Sequence, residues 1–109
     1  MLEWENGDWE RAWTDEPGPL AVFVHTLLCG TCALAKRMLA VVEQIRPDFR
    51  LYAANLNAMP GIAQTFRIES VPCLLVKGKD GGWSKQYRFP SVTDIVDRLD
   101  QANRGETLL

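Results

Sequence analysis

The segment Leu20–Cys32, LAVFVHTLLCGTC, restricts the fold more than any other part of the chain. Its first part, Leu20–Thr26, shows no apolar–polar alternation, the pattern of a strand covered on both faces. Cys29 opens a different pattern: Leu34, Met38, Val41, Val42 and Ile45 recur at helical spacing, and Pro47 ends it. A Cys-x-x-Cys pair therefore stands where a buried strand hands over to the first turn of a helix.

The remaining elements follow from local signals. Residues 6–14 carry Trp9 and Trp13 at i, i+4 spacing and read as a short helix closed by Pro17-Gly18-Pro19. Arg50–Leu56 reads as a second strand, and Asn57 as the cap of a short helix with Pro60 in its first turn and Ile62 and Phe66 turned inward. Pro72 starts a third strand, CLLVK, and Gly78–Gly82 turn it into a fourth, WSKQYRF, as an antiparallel hairpin. Ser91-Val92-Thr93-Asp94 opens a last helix with a buried stripe of Val92, Ile95, Val96 and Leu99. The expected fold is α/β: a mixed four-stranded sheet with helices on both faces, with room for a fifth edge strand at Leu2–Trp4.

Composition decides which partners fit. A chain of 109 residues suits one domain, taken as 1–109, with monomer as the default state. The formal charge of −2, without a basic stripe, argues against nucleic acid. No apolar run approaches the ~18 residues of a membrane span. The opening MLEWENGDWE is not a signal peptide, and three cysteines cannot close a disulfide framework, so reducing cytoplasm is the expected compartment.

Cys29 and Cys32 carry the chemistry. Unpaired N–H groups and partial positive charge at a helix N-terminus stabilise a thiolate, so Cys29 is expected to be the attacking sulfur, with its pKa below the free value of about 8.5. Cys32, one turn deeper, can reach it and resolve a mixed disulfide. Gly30 leaves the approach to Cys29 open. Lys36 and Arg37 read as solvated helix positions, and Trp4, Trp9 and Trp13 as packing for the first helix.

The strand followed by Cys29-Gly30-Thr31-Cys32, and the IESVPCLLV segment some 40 residues on, resemble the thioredoxin family from about Leu20 to Ala102. The resemblance implies a thioredoxin-like fold and a cis Val71–Pro72 bond lying against the cysteine pair. It also implies a substrate site at Gly30, Thr31, Val71 and Pro72, with the Val71 backbone pairing with an extended peptide. The implied activity is thiol–disulfide exchange on protein or low-molecular-weight disulfides. No bound cofactor is implied, and electrons would come from a reductase or a thiol pool. The chain departs from the family at Leu28, often Trp, and at Gly30-Thr31, often Gly-Pro. Phe23 stands where the family often carries a buried acid, and Ala53 where it carries the accompanying lysine. A resolving thiol without that acid needs another base.

His25 and Cys73 each admit two readings. His25 is either a satisfied strand-end histidine or an auxiliary that polarises a thiolate and partly replaces the missing acid. Cys73 is either a small core residue or a third redox thiol that meets Cys32. Cys29, Cys32, Cys73 and His25 could form a Cys₃His zinc set, and Cys29 could share an iron–sulfur centre between subunits. The alternative function is then a binding module that holds a metal or a protein partner without redox turnover.

Overall fold

A computed structural model describes residues 1–5 and 7–105. Asn6, the first residue of the expected N-terminal helix, and positions 106–109 of the expected domain lie outside the described residues. In chain order the elements are β1 (Leu2–Glu3), α1 (Asp8–Thr14), β2 (Leu20–His25), α2 (Gly30–Ile45), β3 (Leu51–Asn55), α3 (Gly61–Phe66), β4 (Cys73–Lys77), β5 (Trp83–Gln86) and α4 (Val92–Asn103). They build one five-stranded sheet in the order β1-β3-β2-β4-β5. β1, β3 and β2 run parallel, whereas β4 is antiparallel to β2 and β5 antiparallel to β4.

The edge strand at Leu2–Glu3 is therefore formed. The Trp4 amide donates to the Ala53 carbonyl at 2.7 Å, and the Trp4 ring meets Tyr52 with centroids 5.5 Å apart. Burying one indole against the sheet holds a strand too short to hold itself.

Strand alternation divides the core. Ala21, Phe23, Leu51, Leu74 and Val76 point to one layer, where α2 adds Cys32, Ala35, Leu39 and Val42 and α4 adds Ile95, Val96, Leu99 and Ala102. Leu20, Val22, Val24, Ala54, Cys73 and Leu75 point to the other, under Ala12 of α1 and Ile62 and Phe66 of α3. A β-carbon on Gly61 would press into the Trp9 ring at 2.8 Å, so the close approach of α1 to α3 requires glycine there.

Three local expectations need correction. On α2, Val42 is buried as expected and Met38 partly so, but Leu34, Val41 and Ile45 face outward. The face on the sheet is Cys32, Ala35, Leu39 and Val42, all buried in one cluster with Ala21, Phe23, Leu74 and Val76. Asn57 does not cap α3; its own amide is taken by the Asn55 side chain at 3.0 Å, and Pro60 holds the N-cap position without a side-chain bond. The fourth strand ends at Gln86 rather than Phe89, whose ring leaves the ladder and packs on the α2/α4 layer. Ser91 does cap α4, accepting from the Asp94 amide at 3.1 Å. The Gly78–Gly82 turn closes with the Gly78 amide on the Gly82 carbonyl at 2.8 Å and Gly81 at φ +91°.

Candidate active site

The C-terminal ends of β2 and β3 lie at one rim of the sheet, and there the chain leaves β2 to begin α2. Cys29 is the N-cap of α2, with extended backbone (φ −94°, ψ 106°). Its Sγ accepts the Cys32 amide at 3.2 Å, so a sulfur takes the place that a hydroxyl or carboxylate usually fills at a helix start. The Thr31 hydroxyl lies 3.5 Å from the same sulfur. The Cys29 and Cys32 sulfurs are at disulfide distance, with Cα atoms 5.2 Å apart. Cys29 is half-buried, while Cys32 is inside the α2/α4 core. Leu28, immediately before the pair, is fully exposed, and a β-carbon on Gly30 would meet nothing within 4 Å.

Two hollows flank the pair. A groove of about 520 Å³ runs between Thr31, Leu34 and Met38 on one side and Pro72, Tyr87 and Phe89 on the other. It brings Thr31 together with Val71 and Pro72, distant in sequence. The Val71–Pro72 peptide is cis. The second hollow, about 170 Å³, is bordered by Phe23, His25, Thr26, Cys29, Cys32 and Lys36.

His25 closes this smaller cavity. Its ring stacks on Phe23 (centroids 5.6 Å apart, 14° between planes), and its Nε2 lies 3.3 Å from Oε1 of Glu3. Phe23 is completely buried and pairs in register with Ala53. At the positions where the family often carries its acid and lysine, the core under the cysteines is apolar.

Cys73 is not brought to this site. It points into the α1/α3 layer, whereas Cys32 lies in the layer across the sheet. Burial pushes its thiol up to about 12, against smaller opposing effects of Lys85 and Tyr87. Contact between Cys73 and Cys32, and the Cys₃His set, are both ruled out by the strand's alternation. Among the described residues, no group of three His, Cys, Asp or Glu side chains could hold a metal.

Sequence reasoning overlooked Glu3 and the groove wall formed by Tyr87, Arg88, Phe89 and Pro90. Glu3 was legible in part: if Leu2–Trp4 is a strand, Glu3 must point opposite to Leu2 and Trp4. The groove wall left no signal, because it exists only where the chain departs from β5.

The thioredoxin-like protein YusE of Bacillus subtilis (strain 168) is 38% identical over 88 residues, spanning 81% of this chain and 83% of its own length. The chain belongs to the thioredoxin-like family. No protein-family model matches it. Among solved structures, chloroplastic thioredoxin z superposes with a TM-score of 0.80 at 20% identity, over 96% of both chains. Oxidised mitochondrial thioredoxin 3 of Saccharomyces cerevisiae gives 0.77 at 20% identity, covering 93% of this chain and 94% of its own. At that identity the likeness is one of fold. This thioredoxin-like chain thus combines the family's fold with a Cys-x-x-Cys pair at disulfide distance.

Proposed function

We propose that this single-domain protein is a dithiol–disulfide oxidoreductase in which Cys29 attacks and Cys32 resolves. The observation that carries the reading is the Cys32 amide directed at the Cys29 sulfur at the first turn of a sixteen-residue helix. The same N–H group and the helix dipole stabilise a thiolate at Cys29 once the disulfide is reduced. In the forward step the Cys29 thiolate attacks one sulfur of a substrate disulfide, and the other sulfur leaves as a thiolate. Cys32 then attacks Sγ of Cys29, releasing the second substrate thiol and leaving the Cys29–Cys32 disulfide. Two electrons pass from the dithiol to the substrate. A reductase or a thiol pool restores the dithiol, and reducing cytoplasm is the compartment in which that supply exists.

Substrates are disulfides in proteins or small thiols. Gly30 and Thr31 border the approach to Cys29. The Val71 backbone beside Pro72 suits pairing with an extended peptide, whose apolar side chain fits the groove against Leu34, Met38 and Phe89. No resident cofactor or metal enters either step.

Site-directed thiol chemistry tests this reading. Reduced wild type should lose two thiols reversibly on oxidation. Cys29→Ser should abolish alkylation near neutral pH and reduce exchange by at least about 10³-fold, whereas Cys32→Ser should trap a mixed disulfide. Faster alkylation of Cys32 than of Cys29 in the reduced wild type would overturn the assignment.

A further inference from the structure

We propose that Glu3 and His25 form a carboxylate–imidazole pair that moves the proton of Cys32 during resolution, with His25 as the base and Glu3 as its positioning residue. The proposal rests on the dithiol reading above.

Cys32 borders the smaller of the two hollows. Its cavity is shared with Cys29 and is walled by Phe23, Thr26, Leu27 and Ala33, none of which titrates in the accessible range. His25 is the base on that wall, and Lys36 from α2 is its cation. Imidazole is the side chain whose charge changes between about pH 5 and 8, the window in which a general base for a thiol is effective. His25 is also held still: its exposure is 8%, and its ring is pinned flat on Phe23.

The contact with Glu3 sets the tautomer. A carboxylate accepts, so Nε2 donates to Oε1 and Nδ1 carries the lone pair. The sheet explains how a residue of β1 reaches one of β2 across β3. Glu3, Ala53 and Phe23 share one row of the parallel ladder, so all three point to the same face. The strand between them carries only a methyl group there, and the Glu3 side chain passes over it to His25, one pleat further along. A lysine at position 53 would fill that path.

The charges facing His25 are few. β1 contributes Glu3, and β3 contributes neutral Asn55 in register. α2 and its first turn contribute Cys29, Cys32 and Lys36. The Met1 ammonium is engaged by Glu43 at 2.8 Å and does not draw Glu3 away.

In the mixed disulfide, His25 Nδ1 takes the Cys32 proton, directly or through a water in the cavity. The Cys32 thiolate then bonds to Sγ of Cys29, the bond from Cys29 to the substrate breaks, and its electron pair leaves on the substrate sulfur. The imidazolium returns its proton to that sulfur or to solvent. Glu3 stabilises the transient imidazolium.

The test is single-turnover reaction of reduced protein with a chromogenic aryl disulfide, acid-quenched and analysed by mass for the Cys29 mixed disulfide. This separates attack from resolution across a pH series. Wild-type resolution should depend less steeply on pH than that of a variant lacking the imidazole. His25→Gln should resolve about 10²-fold more slowly at pH 7, rise with hydroxide, and rejoin wild type above about pH 9.5 as Cys32 ionises unaided. Glu3→Gln should lose roughly tenfold at pH 7 and converge in the same way. Attack by Cys29 should change little in either. A His25→Gln profile that overlays wild type, or a deficit constant at every pH, would overturn the proposal. Failure of Cys32→Ser to form a Cys29 mixed disulfide would instead overturn the dithiol reading itself.

Discussion

Cys32 and Cys73 are both buried, 4% and 0% exposed, and each stands at the start of a regular element, yet their chemistry is opposite. Cys32 lies in the α2/α4 layer with a second sulfur at disulfide distance and a cavity with a histidine beside it. Cys73 lies in the α1/α3 layer among Val22, Val24, Ile62 and Leu75, where burial outweighs Lys85 and Tyr87 and raises its thiol to about 12. Burial by itself makes a thiol inert; a partner sulfur and a path for the proton let a buried thiol react. One strand residue's parity, up or down from the sheet, separates the two cases.

The largest effect expected from this contrast is in labelling rates. In the reduced native protein at pH 8, only on the order of 10⁻⁴ of Cys73 is thiolate, from a pKa of about 12. Iodoacetamide should therefore modify Cys29 at least about 10³-fold faster than Cys73, which should react only after denaturation. Peptide mass mapping over time measures this, and rates within tenfold of each other in the native state would break the comparison.

Next in size is the packing under the reactive pair. Phe23 is fully buried and touches both His25 and Phe89. Phe23→Ala should cost about 3–5 kcal/mol in urea denaturation. Phe23→Asp should also destabilise at neutral pH, since an unpaired carboxylate in that core is costly, and should speed resolution as a substitute base. A loss below about 1 kcal/mol for the alanine variant would mean the ring does not support the site.

The smallest effect sharpens the Cys73 side. Cys73→Ser should cost about 1–3 kcal/mol by burying a hydroxyl, with exchange activity unchanged. The pKa of the folded thiol is raised, so its contribution to stability is complete below its ordinary value of 9.0 and is lost as pH rises toward about 12. Tyr52, raised chiefly by burial with Glu16 next, acts with the same sign. The comparison must therefore be made against Cys73→Ala: wild type should lose more stability than this variant above about pH 9. Parallel alkaline profiles would place the thiol outside the core.

The order and boundaries of most elements were legible because they depend on neighbours in sequence. A two-sided apolar run makes β2, Ser91 caps α4, and glycines at 78 and 82 close the hairpin. The position of Cys29 and Cys32 at a strand-to-helix junction is local in the same sense, and so is the absence of an acid at Phe23.

What only the tertiary structure decided is which side each residue meets. On α2, Leu34-Met38-Val41-Ile45 and Cys32-Ala35-Leu39-Val42 both satisfy helical spacing. Periodicity alone cannot choose between them; burial against the sheet of Cys32, Ala35, Leu39 and Val42 does. Cys73 follows Pro72 directly, yet no local signal states that its side chain leaves the face of the sheet that Cys32 covers. Glu3 and His25 are separated by twenty-two positions and by an intervening strand, and they meet because three parallel strands align in register over the methyl group of Ala53. Local sequence specifies elements through backbone propensity and capping, whereas strand parity, helix rotation and register are settled by long-range burial, which no short window contains.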